Sequence, residues 1–202
     1  IEPQFVDYNT DMSRFEMKKG IEVLYKKNEV NDIAQLSFIF NKGLLSDPAL
    51  SMAFDYITYL GTETRSLQDI SMELYKLACN FSTRVGTSNA QFSVSGLSEN
   101  VGKALEIVED VILNAVGDEE ILAQYKSDLL KSRADTKYNQ SSCNSALRTY
   151  ITYGPEYIRK TTLSDAQIKA ISSDELLSKV KSLLGYEHIV TYDGPAGEDE
   201  VK

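Results

Sequence analysis

The chain has 202 residues, 42% hydrophobic and 25% charged, the balance of a folded globular chain rather than a disordered one. Its net charge is −9, which sets nucleic acid aside as a partner, because phosphate contact needs clustered Lys and Arg. No apolar run approaches the length of a transmembrane segment.

Residues 1–14 read as an extended lead-in anchored by Phe5 and Tyr8. A hairpin follows, turning at Lys19-Gly20, and Ile21, Val23 and Tyr25 alternate with polar residues as a half-buried strand does. After a turn cluster at 28–32, Leu36, Phe38 and Phe40 share one face of a strand. Pro48 stands near a helix start, where its missing N–H has no partner to lose. The helix over 49–60 places Met52, Asp55, Tyr56 and Tyr59 along one stripe, with Gly61 as its C′ stop. Ser66 with Asp69 predicts an N-cap for a second helix reaching about Cys79.

Residues 80–86 and 89–96 read as two strands of a hairpin. Ser98 to Asn100 caps a helix whose apolar stripe is Val101, Leu105, Val108 and Ile112, broken at Gly117. A long, mostly polar helix over 118–133 packs through Ile121, Leu122, Tyr125 and Leu129. Another runs over 141–150, and 150–155 reads as an aromatic loop. Ser164 with Gln167 and Ser172 with Glu175 match the capping box, each starting a short helix. Residues 187–192 form a closing strand.

Strands, a helix pair, a hairpin, long helices and a last strand predict an α+β fold. It is a two-layer domain with a mixed, mainly antiparallel sheet covered by helices on one face. The domain spans 15–195, with a charged tail over 196–202.

The usual chemical signatures are missing: no C-x-x-C, Walker loop, G-x-G-x-x-G or G-x-S-x-G. Cys79 and Cys143 suit either two buried thiols or one disulfide. His188, the single histidine, reads as a half-buried residue at a strand start, and no partner Ser marks a triad around it.

Residues 52–62, Met-Ala-Phe-Asp-Tyr-Ile-Thr-Tyr-Leu-Gly-Thr, resemble the zinc-binding helix of the insulinase/pitrilysin metallopeptidases. In that family an H-x-x-E-H motif is followed by apolar residues and Leu-Gly-Thr. Here Leu60-Gly61-Thr62 is intact, while the three catalytic positions read Met52, Asp55 and Tyr56. The resemblance extends along the chain. It includes an Asn-Glu before a strand, the 41–48 stretch ending in Ser46-Asp47-Pro48, and Ser95-Gly96-Leu97. The helix with Ala104 to Val108 and the terminal Tyr192-Asp193-Gly194-Pro195 complete it.

Two histidines at i and i+4 grip one zinc from a single helix face, and the Glu between them works on the metal-bound water. Met52 is a soft thioether, Tyr56 is a phenol rather than an imidazole, and Asp55 has no activated water to deprotonate. The family's third ligand is a Glu on a later helix. The matching segment 125–133 puts Leu129 there, with Asp128 beside it.

The resemblance therefore implies no catalytic and no metal-binding residue in this chain. The resemblance implies zinc in the first half of a longer, bacterial parent, of which this chain is expected to be a fragment. Family members pair two halves, each of repeated domains, around a peptide chamber, and this chain looks like a later domain that has lost the metal. Its implied partners are the catalytic half, or a catalytic subunit, and peptide substrate. The family's substrate-holding Arg and Tyr lie in a final domain and are not transferred to Arg148 and Tyr150. A binding or scaffold subunit with no protease role is the alternative. An unrelated enzyme built on Asp55 is a third reading, but no spacing supplies its second acid.

Overall fold

Alternating apolar residues build six strands: β1 (Ser13–Met17), β2 (Ile21–Lys27), β3 (Ile33–Phe40), β4 (Cys79–Val85), β5 (Ala90–Leu97) and β6 (His188–Gly194). The computed structural model describes residues 5, 7, 8, 10–17 and 21–201. The expected Lys19-Gly20 turn lies outside them. Across the sheet the order is β1-β2-β6-β3-β5-β4. Every pairing is antiparallel except β2 with β6, which run parallel with Val23 opposite Val190 and Tyr25 opposite Tyr192. The last strand thus lies inside the sheet, between two strands from the start of the chain.

Successive side chains point to opposite faces of a strand. Ala34, Phe40, Phe92, Val94 and Tyr192 are buried on one face. They form the core with α1 (Leu50–Ile57), α3 (Ser98–Asn114) and α7 (Ser173–Leu183). Phe54 of α1 stacks on Phe92 at 4.3 Å between ring centroids, and Phe40 meets the same ring edge-on at 6.1 Å. The other face is mainly polar, with Ile39 opposite Ile189 among its apolar residues. There Ser93 Oγ donates to Ser37 Oγ at 2.9 Å and Gln91 Nε2 donates to Ser93 Oγ at 2.7 Å. This is the expected α+β arrangement, a mixed, mainly antiparallel sheet with a helical layer on its apolar face.

Helix starts follow their side-chain caps. At α2 (Leu67–Lys76) the Ser66 hydroxyl accepts from the Asp69 N–H and the Asp69 carboxylate accepts from the Ser66 N–H, both at 3.1 Å. Ser164 and Gln167 make the same reciprocal box at α6 (Asp165–Ala170). At α7 Ser172 caps the Glu175 N–H at 3.2 Å, while the Glu175 carboxylate lies 3.6 Å from Lys179. Asp118 caps α4 (Glu119–Thr136) through the N–H groups of Glu120 and Ile121. No side chain caps α3, contrary to expectation. Leu97 is still paired to Ile33 in the sheet, so the chain passes from β5 into α3 without turn residues.

Two further expectations are corrected. Residues 150–155 are not a loop: α5 (Gln140–Thr161) runs through them with a kink at Gly154, φ 76° and ψ 175°. Glycine adopts that conformation without a Cβ clash, and Pro155 then suits the first turn of the second segment. Gly61 is not a left-handed stop. α1 ends at Ile57, and Tyr59 and Leu60 continue in tighter turns, their N–H groups bonding Tyr56 and Ile57 carbonyls. A Cβ on Gly61 would sit 2.5 Å from the Arg65 carbonyl oxygen, so close approach is what demands glycine.

At the chain ends, Ser13 already belongs to β1. The Glu198–Val201 turn, α8, sets Val201 against the core.

Candidate functional site

The residues at the zinc-motif positions split between inside and outside. Met52 and Tyr56 point into the core, 3% and 0% exposed, whereas Asp55 and Tyr59 face solvent. The expected single stripe is two adjacent rows, each of i, i+4 pairs, on either side of the burial boundary.

Tyr56 bolts three elements together. Its hydroxyl donates to the Asp118 carbonyl at 2.7 Å and accepts from the Asp118 N–H at 2.9 Å. It also shares a hydrogen bond of 2.8 Å with Ser173 Oγ. α1 is thereby tied to the start of α4 and the first residue of α7. Gly117 makes room for this knot, because a Cβ there would run into the Ser173 side chain. Lys179 of α7 reinforces the junction by pairing with Asp47, just before α1, at 2.6 Å.

On the solvent side α1 meets α4. The Tyr125 hydroxyl donates to Asp55 Oδ2 at 2.9 Å, and the Tyr59 and Tyr125 rings lie 5.7 Å apart. Burial, joined by the Asp55 charge, pushes the Tyr125 phenol well above its ordinary value. Asp128, one turn further along α4, is exposed and accepts from Gln124 Nε2 at 3.1 Å through both oxygens. Leu129 is partly buried against the core.

These donors do not fit a zinc ion. A buried thioether, a phenol whose hydroxyl is spent on Asp118 and Ser173, and a leucine cannot supply the nitrogen and carboxylate ligands the metal takes. Among the described residues no group of three or more His, Cys, Asp or Glu side chains could hold a metal ion. His188 is elsewhere, in β6, its Nδ1 3.0 Å from the Tyr186 carbonyl oxygen and its ring 5.0 Å from that of Phe40. Cys79 and Cys143 are both free thiols, and burial raises the pKa of Cys79. Arg148 and Tyr150 lie on the exposed surface of α5.

No protein-family model matches the sequence. Over 127 residues, 61% of its length, the chain is 26% identical to a zinc protease of Rickettsia felis. A solved peptidase M16 inactive domain from Pseudomonas fluorescens superposes on 94% of the chain with a TM-score of 0.79 at 17% identity. The fold is that of an M16 (insulinase/pitrilysin) peptidase domain. The periplasmic protease PqqL of Escherichia coli contains the same M16 fold, with a TM-score of 0.78 over 95% of the chain at 18% identity. The fold expected from the resemblance is the one observed. The chain spans 31% of the Rickettsia relative, 48% of the Pseudomonas chain and 22% of PqqL. In each case the matched region is one part of a longer chain.

Several partners in the site were not apparent from sequence. Tyr125 is expected to pack as part of α4, and nothing in the sequence singles out Ser173. Their distance along the chain from α1 leaves no spacing to detect. The one available signal is that a tyrosine at a histidine position brings a hydroxyl needing a buried partner.

Proposed function

We propose that this chain is a non-catalytic domain of a long bacterial zinc metalloendopeptidase. It forms part of the wall of the chamber that holds the peptide. The metal and its activated water belong to another half of the parent, where peptide hydrolysis takes place. One observation carries this reading. At the position of the motif's second histidine, the Tyr56 hydroxyl is fully engaged in tying α1 to α4 and α7. The helix is kept for packing while its donor set has gone.

Metal analysis of the dialysed chain tests the first part. It should hold no stoichiometric zinc and cleave no peptide, and one tightly held equivalent would refute the reading. The parent protein tests the second part. Its peptidase activity should be abolished by a chelator. Removing this domain should raise KM for an unfolded peptide and leave zinc content unchanged. A parent with no zinc and no cleavage would instead favour the scaffold subunit.

A further inference from the structure

α5 is 22 residues long and buries none of them. Leu147, Tyr150, Ile151 and Tyr153 are 56%, 52%, 74% and 61% exposed. A helix in water draws most of its stability from packing an apolar face, and an exposed apolar stripe marks a contact surface. The kink at Gly154 divides α5 into two segments. The second is tethered, the Tyr157 hydroxyl lying 3.1 Å from Thr87 Oγ1. The first, 140–153, buries no side chain, lies beside α4 at its start, where Ser142 and Asp128 line one surface cleft, and ends at a residue around which a Cβ would meet nothing within 4 Å. Its charge also departs from that of the chain. α5 carries Arg148, Arg159 and Lys160 against one carboxylate, Glu156, in a protein of net charge −9. Glu156 is taken by Arg159 and Lys160. Arg148, beside the apolar stripe, has no ion-pair partner among the described residues.

We infer that the 140–153 arm docks this domain onto the companion half of its parent, on an apolar seat with a carboxylate facing Arg148. The inference rests on the reading above of one domain in a two-half protein. The occupant is a companion half for two reasons. The Pseudomonas chain and PqqL, which share this fold, are about two and about four times its length. An unpaired cation in an aromatic and aliphatic stripe also suits an acidic, apolar protein surface.

Hydrogen exchange of residues 143–153, compared between the parent and the isolated chain, tests it. The amides should exchange at least ~10-fold more slowly in the parent. Leu147→Asp with Ile151→Asp should remove that protection. The same pair should leave the isolated chain's Tm within about 1 °C, since neither side chain is buried. Equal exchange in both proteins overturns the inference. So does protection in the isolated chain that disappears on dilution, because a second copy would then be the occupant. Protection in a parent that cleaves no peptide supports the docking arm and counts against the peptidase reading instead.

Discussion

Tyr56→Phe removes one oxygen and keeps the ring that fills the core. That oxygen takes part in three hydrogen bonds, two to the Asp118 backbone and one to Ser173 Oγ. Ser173 is 3% exposed, so its hydroxyl cannot turn to water once its partner is gone. Asp118 lies at the surface, and water can recover part of its two bonds. Counting about 1 kcal/mol for the Asp118 contacts and about 1–2 kcal/mol for the stranded Ser173 hydroxyl gives a loss of about 2–3 kcal/mol. For a domain of this size each kcal/mol moves Tm by about 2–4 °C, so the transition should fall by about 4–12 °C. Urea unfolding followed by circular dichroism measures the difference directly, with an unchanged m-value as the check on two-state behaviour. Adding Ser173→Ala should cost less than the sum of the single changes, because both ends of one bond are then gone. A Tyr56→Phe protein within 0.5 kcal/mol of the parent sequence would refute the bolt and, with it, the reason given for a tyrosine at this position.

Met52→His with Tyr56→His should neither bind zinc nor restore peptide hydrolysis, because Leu129 offers no third ligand, and it should unfold earlier by opening the buried face of α1; cleavage in a chromogenic peptide assay would contradict this. Tyr125 has a folded-state pKa raised above its unfolded value of about 10, so its contribution is complete below that pH and is lost as pH rises. Unfolding free energy should therefore fall more between pH 9 and pH 11 in the native sequence than in Tyr125→Phe, and parallel losses would show that Tyr125 stays ionisable. Lys179→Met should cost about 1 kcal/mol by breaking the part-buried pair with Asp47. That loss should shrink in 1 M salt, and a salt-independent loss would point to the stem of Lys179 rather than its charge.

Elements whose partners are local could be read from the sequence. The β4–β5 hairpin has alternating side chains on both arms, and α3 has a full apolar stripe. In α5 Gly154-Pro155 is strong local punctuation and reads from sequence as a loop. One residue at positive φ absorbs that break, and both flanking segments stay helical. In α1 the 3.6-residue period places Met52, Asp55, Tyr56 and Tyr59 near one another but does not fix where the burial boundary falls. It runs between the 52/56 row and the 55/59 row, and only the packing of α4 and α7 decides that. That Met52, Tyr56 and Leu129 offer no set of zinc ligands is visible as residue identity alone. What Tyr56 does instead depends on Asp118 and Ser173, which no helical spacing could reveal.

The position of β6 also constrains how the domain is made. Residues up to Gly185 supply β1 to β5, but β2 and β3 have no edge to share until His188–Gly194 slots between them. While it is being synthesised the chain holds two incomplete ribbons, β1 with β2 and β3 with β5 and β4, each with a raw strand edge open to wrong pairing. The sheet is completed only when its last strand leaves the ribosome. Removing the residues from His188 onward would cut the sheet down the middle rather than trim its rim.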